Sequence, residues 1–268
     1  CALPIFPQID DVHAAAERIA PYALATPLLR NPALDAATGG RILVKAENLQ
    51  RVNAFKFRGA YNAVSRIDRA AHPGGVVACS SGNHAQGVAA AATLCGIASV
   101  IVMPSDAPRL KLARTRAFGA EVVTYDRARE DRDAIALDIC GKRRAAFVHP
   151  YDDPHVMAGQ GTVGLEIMAQ AKAMGLTPDA VLARCSGGGL VGGISIAVKA
   201  ANPGTEVFAV EPAGFDDMAR SLKSGHRERN AAPSGSICDA LMAQTPGVTT
   251  FAVAQRNLKG GQIGRAHV

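Results

Sequence analysis

The feature that most constrains the fold is a regular alternation of short β-branched runs with longer helical patterns, which begins near residue 41. The runs that predict strands are RILVKAE, GVVACSS, SVIVMP, EVVTYD, AAFVHP, DAVLARC and TEVFAVEP. Alanine-rich helical patterns separate them, such as His84 to Cys95 and Pro108 to Phe118. Because neighbouring parallel strands need a crossover, the alternation predicts an α/β fold with mainly parallel sheets and helices on both faces.

The length of 268 residues exceeds what a single hydrophobic core usually serves, so one large or two small domains are expected. We predict a large domain from residues 1–78 plus 151–260, with its C-terminal part missing, and a small domain from residues 79–150. The apolar periodicity stops near Gly260. Residues 261–268 are therefore interpreted as a non-native tail and left out of the predicted fold.

Composition argues against two classes of partner. No apolar run approaches the roughly 20 residues that cross a bilayer, and the first residues lack the features of a signal peptide, so no membrane association and a cytoplasmic location are expected. The net charge of +6 is dispersed along the chain, tryptophan is absent and aromatic residues make up 4 %, so nucleic acid is not an expected partner. An anionic small ligand suits this charge better.

The first chemical motif is NAFKFRG, from Asn53 to Gly59, which follows a predicted strand and opens a helix. Lys56 stands between Phe55 and Phe57. A lysine in such surroundings is either a surface side chain that lies over its apolar neighbours or a desolvated amine with a lowered pKa. An amine of the second kind can form an imine with a carbonyl.

The second motif is SSGNHAQ, from Ser80 to Gln86, between the strand GVVAC and an alanine-rich helix. A helix that starts after a short polar turn presents free N–H groups and the positive end of its dipole to an anion. Capping of the helix by Ser81 or Asn83 is the alternative. Capping explains one polar residue, whereas this turn contains a run of them.

The third motif is CSGGGLVGG, from Cys185 to Gly193, again between a strand and a helix. Consecutive glycines let backbone N–H groups approach a phosphate, although tight packing alone can also require them. The motif matches neither the Gly-Lys-Ser/Thr loop of nucleotide-binding proteins nor the dinucleotide pattern GxGxxG. It therefore favours a small phosphorylated cofactor.

Together, NAFKFRGA, SSGNHAQG and SGGGL, in this order, resemble the threonine dehydratase/serine racemase branch of fold-type-II pyridoxal-phosphate enzymes. The resemblance extends from about Ile5 to about Gly260. It implies a tryptophan-synthase-β-like fold of two interleaved three-layer domains, whose large domain binds pyridoxal 5′-phosphate. It implies β-elimination from L-threonine or L-serine to a 2-oxo acid and ammonia, in a homodimer or homotetramer. An amino-acid (serine) racemase, a 3-hydroxyaspartate ammonia-lyase and a catalytically silent binding relative remain alternatives.

The resemblance also implies how the cofactor is held. Lys56 would carry it as a Schiff base and act in catalysis, Phe55 would lie against its pyridine ring, and Asn83 would bind its 3′-oxygen. The residues that would bind its phosphate are Ser186, Gly187, Gly188, Gly189 and Leu190.

The substrate carboxylate is expected at the start of the helix in the second motif. The residues implied are Ser80, Ser81, Asn83 and His84, with Arg132 approaching the same carboxylate. Ser81 stands where related racemases keep a second acid/base, so it is the second predicted catalytic residue.

A fourth segment, EPAGFDD, follows the strand TEVFAV. Carboxylates and a loop carbonyl are hard oxygen ligands that suit Mg²⁺ or Ca²⁺, although Asp216 or Asp217 can equally serve as a helix cap. The resemblance implies a cation bound by Glu211, the Phe215 carbonyl and Asp217.

Two departures from the family pattern stand out. Val52-Asn53-Ala54 replaces a segment that is commonly Thr-Gly-Ser, and Arg184 precedes the glycine-rich motif where an apolar residue or proline is more usual. The segment that faces the pyridine nitrogen in relatives has no counterpart after Gly261.

Overall fold

The strands of the described residues form three sheets, and two of these are entirely parallel. The computed structural model describes residues 6–80, 82–126 and 128–264. A short antiparallel sheet pairs β1 (Leu28–Arg30) with β2 (Leu43–Lys45). The strands of the second sheet are β3 (Val76–Cys79), β4 (Ser99–Pro104), β5 (Glu121–Tyr125) and β6 (Ala146–Phe147), in the order β5-β4-β3-β6. The third sheet contains, in this order, β7 (Ala180–Arg184), β8 (Glu206–Pro212) and β9 (Gly260–Gly264).

Helices connect the parallel strands, as the alternation predicts. They are α1 (Ile9–Ile19), α2 (Pro32–Thr38), α3 (Lys56–Val64), α4 (Asn83–Cys95), α5 (Arg109–Ala117), α6 (Arg132–Arg143), α7 (Pro154–Ala173), α8 (Gly189–Ala201), α9 (Asp217–Ser224) and α10 (Val248–Asn257). Short 3-10 turns cover Glu47–Leu49, Arg51–Asn53 and Asp239–Leu241. In the described part of the chain, none of the helices is long and apolar enough to cross a membrane.

Helices α3 and α7 cross in close contact, and this crossing fixes the helix that starts at Lys56. A Cβ added at Gly59 would lie 2.4 Å from the side-chain nitrogen of Gln160, and one added at Gly159 would lie 2.6 Å from the Cα of Gly59. Distances this short leave room for glycine only, since the interior is already close-packed.

A buried ion-pair network joins the same two helices. Arg58 on α3 is fully buried, and its guanidinium binds Glu47 at 2.8 Å and Glu166 on α7 at 2.6 Å. Lys45 contacts Glu166 from β2 at 2.5 Å. Each charge therefore has an opposite partner, which a buried charge requires.

Separate apolar clusters pack helices against the two parallel sheets. One packs α3 and α4 against the four-stranded sheet and includes Phe57, Val88 and Ile101. A second cluster packs α7, α8 and α10 against β7 and β8 and includes Ile194 and Phe251. The predicted α/β class and mainly parallel sheets are confirmed.

The structure differs from the sequence analysis at three places. The pattern did not predict β1, a three-residue strand with only one buried side chain. The boundary proposed between Ala78 and Cys79 falls inside β3, all of whose residues pair with β4, so the sheet begins at Val76. The division into two domains stays a prediction.

The third difference concerns the segment interpreted as a non-native tail. Its first residues belong to β9, which pairs with β8 in parallel from Phe208↔Gly260 to Pro212↔Gly264. The glycine-rich sequence has no strand periodicity of its own, and it becomes extended because the edge of β8 offers backbone partners. Residues 265–268 lie outside the described part.

Candidate active site

The amine of Lys56 lies at the start of α3, beside the segment that follows β6. Its Nζ donates a hydrogen bond of 2.5 Å to the carbonyl oxygen of Pro150. Burial, with a smaller contribution from the positive charge of Arg184, lowers the pKa of Lys56 to about 8. The sequence alternative of a desolvated amine is therefore the one that the geometry supports.

The ring of Phe55 brings the end of β7 to this amine. The ring is buried and lies 5.4 Å from the Nζ of Lys56. The guanidinium carbon of Arg184 lies 5.0 Å from the same ring centroid. Burial lowers the pKa of Arg184, the charge of Glu47 opposes this shift, and the positive charge of Arg184 acts on Lys56.

The helix of the second motif lies against the backbone of Lys56. A Cβ added at Gly87 on α4 would meet the backbone of Lys56 at 3.3 Å. Helix α4 begins after Gly82, which offers no side-chain cap, and the exposed Asn83 is its first residue. The Oγ of Ser80 accepts a hydrogen bond of 3.1 Å from the N–H of Gly82. Ser81 lies outside the described residues.

His84 is buried, and its side chain forms a hydrogen bond with the backbone of the protein. Its Nε2 lies 3.1 Å from the carbonyl oxygen of Val148, so Nε2 carries the ring proton. Burial, then the charge of Lys56, lowers the pKa of His84 to about 3, which keeps the imidazole neutral. Any contact of His84 with an anion would therefore come from its backbone N–H.

The glycine-rich motif forms the turn before α8. Gly188 precedes the helix with a φ of +96°, and the N–H of Gly192 donates to its carbonyl at 2.9 Å. The N–H groups of the three helix residues before Gly192 have no partner within the helix and are available to an anion. A Cβ added at Gly187 would lie 2.3 Å from the ring of Tyr151, so the turn leaves no room for a side chain there.

The flanking residues of this motif support the turn. The Oγ of Ser186 accepts a hydrogen bond of 3.1 Å from the N–H of Ala243. Leu190 is partly buried and packs against the cluster around β7 and β8. The first two motifs are in contact at Lys56 and Gly87, and the segment with Pro150 and Tyr151 links Lys56 to the glycine-rich turn that follows β7.

Arg132 is the first residue of α6. Its side chain is exposed and lies 3.4 Å from Asp133, while its carbonyl accepts a hydrogen bond of 3.3 Å from the thiol of Cys79 at the end of β3. Arg132 is therefore at the edge of the sheet where Ser80 also lies. A contact with a substrate carboxylate stays a prediction.

Glu211 and Asp217 form a separate buried pair of carboxyl groups. Glu211 accepts hydrogen bonds from the N–H groups of Met218 at 3.0 Å and Ala219 at 2.8 Å, so it caps α9. Asp217 accepts a bond of 2.7 Å from Asn230, and its other oxygen is buried with no partner among the described residues. Burial raises the pKa of Glu211 to about 8 and that of Asp217 to about 6.

These observations bear on the predicted cation. Glu211 caps α9 in the structure, whereas the helix-cap alternative in the sequence analysis gave this role to Asp216 or Asp217. The partnerless oxygen of Asp217 suits a hard cation. Groups of three or more His, Cys, Asp or Glu side chains suited to a metal are absent from residues 6–80, 82–126 and 128–264, but the predicted site needs two side chains and the Phe215 carbonyl.

Sequence reasoning missed the segment from His149 to Asp152, which contacts both Lys56 and the glycine-rich turn. The signal was present as HPYDDP, a polar run directly after a predicted strand. The end of a parallel strand is where binding residues collect in α/β proteins, and this rule would have selected the segment.

A parallel α/β fold, a weakly basic lysine and a glycine-rich helix start together define a lysine-anchored site for a phosphorylated carbonyl compound. The family model described as "Pyridoxal-phosphate dependent enzyme" matches residues 19–262, and the chain belongs to this family. The match confirms the predicted family resemblance, the fold type and the pyridoxal-phosphate cofactor.

Relatives of known function include lyases and racemases. The L-threo-3-hydroxyaspartate ammonia-lyase of Pseudomonas sp is 42 % identical over 248 residues, covering 92 % of this chain and 76 % of the relative. The serine racemase of Schizosaccharomyces pombe is 37 % identical over 254 residues, covering 95 % and 77 %. The crystal structure of the threonine deaminase from T.th. superimposes with a TM-score of 0.91 at 44 % identity, covering 97 % of this chain and 82 % of that one.

Proposed function

We propose that this chain is an ammonia-lyase that converts L-threonine or L-serine to a 2-oxo acid and ammonia by β-elimination. The observation that carries the proposal is the amine of Lys56, which donates to the carbonyl of Pro150 in the segment that also packs on the glycine-rich turn, and whose pKa is lowered to about 8. The relatives support elimination from a β-hydroxy amino acid, because two of those described above are named ammonia-lyase and threonine deaminase.

The residues present fit pyridoxal phosphate. Lys56 would hold the cofactor covalently, with Phe55 against its ring and Asn83 near its 3′-oxygen. The phosphate would lie against the turn from Ser186 to Leu190, where a Cβ at Gly187 has no space. When bound, the cofactor withdraws electrons from the Cα of an attached amino acid.

Lys56 is suited to accept the Cα proton. An amine with a pKa of about 8 has an appreciable neutral fraction near neutral pH, whereas an ordinary lysine does not. The carbonyl of Pro150 accepts the Nζ hydrogen bond and so orients the amine without neutralising it. The charge of Arg184 opposes protonation of the same amine.

The N-terminus of α4 would receive the α-carboxylate. The contributors would be Ser80, Ser81, Asn83 and the backbone of His84, with Arg132 at the edge of the site. The neutral imidazole of His84 adds no charge, so the attraction would come from backbone N–H groups and the helix dipole.

Racemisation is the second candidate function, favoured by the serine racemase among the relatives. It requires an acid/base on the face opposite Lys56, the role predicted for Ser81. Ser81→Ala is expected to impair racemisation more than elimination, because α-deprotonation by Lys56 needs no donor on the other face. Equal losses in both activities would remove Ser81 from this role.

Three further properties belong to the proposal. Glu211, the Phe215 carbonyl and Asp217 would bind Mg²⁺ or Ca²⁺, and the partnerless oxygen of Asp217 supports this assignment. A homodimer or homotetramer and a cytoplasmic location remain as predicted in the sequence analysis.

The experiment incubates the chain and pyridoxal phosphate with threonine, serine and 3-hydroxyaspartate separately. Release of 2-oxo acid from threonine or serine is expected, and Lys56→Ala serves as the inactive control. If 2-oxo acid is released from 3-hydroxyaspartate alone, the proposed substrate is wrong but the proposed β-elimination still holds. Inversion of configuration without 2-oxo acid would favour the racemase. If neither 2-oxo acid nor the inverted amino acid is formed, an enzymatic role is contradicted.

A further inference from the structure

One four-residue turn, from His149 to Asp152, joins the lysine to the glycine-rich turn. The carbonyl of Pro150 binds Lys56, and the Tyr151 ring packs on Gly187. The Nδ1 of His149 accepts hydrogen bonds from the N–H groups of Asp152 at 2.8 Å and Tyr151 at 3.3 Å. This acceptor needs an unprotonated Nδ1, and burial, which lowers the pKa of His149, favours that form.

The carboxylate of Asp152 leaves this turn and caps the start of α10. It accepts hydrogen bonds from the N–H groups of Val248 and Thr249, each at 2.8 Å, and of Thr250 at 3.2 Å. The residue before the helix is Gly247, which has no side chain to do this. A Cβ at Gly247 would lie 2.5 Å from the Asp152 carboxyl carbon, so the two segments are in direct contact.

The start of α10 in turn holds the carbonyl of Gly187. That oxygen accepts hydrogen bonds from the N–H of Gly247 at 3.2 Å and from the Oγ1 of Thr250 at 2.6 Å. Because a peptide group is planar, fixing this carbonyl also fixes the N–H of Gly188, which is directed at the thiol of Cys185 immediately before α8. Thr250 also closes the space beside Gly188, where a Cβ would lie 2.9 Å from its side chain.

We propose that Asp152 is a positioning residue for phosphate binding: it holds α10 against the carbonyl of Gly187 and thereby sets the N–H groups at the start of α8. Without the carboxylate, three N–H groups of α10 lose their acceptor and the first turn of that helix loosens. The two groups that donate to the Gly187 carbonyl, the N–H of Gly247 and the hydroxyl of Thr250, then lose their fixed position. The inference rests on the cofactor of the family and not on the reaction that the enzyme catalyses.

The test compares two ligands that differ only in the phosphate. Pyridoxal 5′-phosphate and pyridoxal carry the same aldehyde for Lys56, and pyridoxal lacks the group that the glycine-rich turn would bind. Each is titrated by absorbance into the cofactor-free full chain. Asp152→Ala is expected to raise the Kd for pyridoxal phosphate about tenfold and the Kd for pyridoxal less than about twofold.

The neighbouring residue supplies a matched control. Asp153 caps α7 in the same way, accepting from the N–H groups of His155 at 2.7 Å and Val156 at 3.0 Å, but it has no described contact with α10 or the glycine-rich turn. Asp153→Ala is expected to lower the melting temperature to a similar extent while leaving the affinity ratio of the two ligands unchanged.

Equal weakening of both ligands by Asp152→Ala, or no weakening of pyridoxal phosphate, would overturn the proposal. If Asp152→Ala does not fold, Asp152→Asn is used in the same comparison, because an amide oxygen retains part of the cap. A smaller loss confined to pyridoxal phosphate supports the proposal, and a loss shared by both ligands contradicts it. A chain without lyase activity still gives both titrations, so failure of the proposed reaction is distinguishable.

Discussion

Lys56 and Arg184 approach the same aromatic ring, that of Phe55, with the amine nitrogen 5.4 Å and the guanidinium carbon 5.0 Å from its centroid. The positive charge of Arg184 disfavours the protonated form of Lys56, and arginine keeps its own proton, so the pKa of the lysine is the one that falls. Burial acts in the same direction and is the larger cause of the lowered pKa of Lys56. An arginine at this position therefore assists the lysine in being a base.

Arg184→Met should raise the pKa of Lys56 above its present value of about 8, because the repulsion is removed while burial remains. The measurement is the pH dependence of Lys56 acylation in the cofactor-free chain, followed by mass spectrometry. The midpoint should move to higher pH in Arg184→Met and stay near the wild-type value in Arg184→Lys, which keeps a charge. An unchanged or lower midpoint in Arg184→Met would rule out this effect.

The same lowered pKa has a consequence for stability. In the unfolded chain Lys56 regains the ordinary pKa of 10.5, so between about pH 8 and 10.5 the unfolded state binds more protons. The free energy of unfolding of the cofactor-free chain should therefore gain a contribution from Lys56 as the pH rises through this window. The gain should be absent from Lys56→Met, and an identical pH profile in both proteins would contradict the lowered pKa.

Arg58→Met should destabilise the fold strongly, because it leaves the buried Glu47 and the partly buried Glu166 without their shared guanidinium. Breaking a buried ion pair from one side costs about 3–5 kcal/mol in free energy of unfolding. The control is Arg143→Met, which removes an exposed pair with Glu121 and should cost less than about 1 kcal/mol. Denaturant unfolding gives both values, and similar costs would show that the network adds nothing by being buried.

Calcium or magnesium should raise the melting temperature if Glu211 and Asp217 bind a cation. Binding to the folded state alone stabilises it by about 2.7 kcal/mol when the ligand is at 100 times its Kd. Asp217→Asn should remove the response, whereas Asp216→Asn should keep it, since Asp216 pairs with Arg220 at 3.6 Å. If calorimetry shows no shift in the melting temperature of the wild type on adding either cation, the only remaining role of Glu211 is to cap α9.

Local sequence signals identified much of the fold and part of the candidate site. Strand runs and helix patterns follow from the alternation of buried positions, and the glycines before α8 mark a backbone constraint that is visible in the sequence. The motifs around Lys56 and Gly187 were found in this way, although the roles of their residues stay predictions.

Long-range contacts explain what the sequence did not reveal. Lys56 and Pro150 are 94 residues apart, and Asp152 and Thr249 are 97 apart, so no local pattern links either pair. The strand β9 forms because β8 offers it a backbone edge, not because its glycine-rich sequence favours extension. Burial of the ion pairs around Arg58 likewise depends on how α3 crosses α7.

The most direct test of the central claim is to reduce the chain with borohydride in the presence of pyridoxal phosphate and to map the labelled peptide. Reduction makes the bond between cofactor and lysine permanent. The label is expected on Lys56 alone, with loss of the visible absorbance of the bound cofactor, and Lys56→Ala should show neither the label nor the absorbance band while keeping its fold. A label on another lysine, or an unchanged band in Lys56→Ala, would contradict the assignment of Lys56.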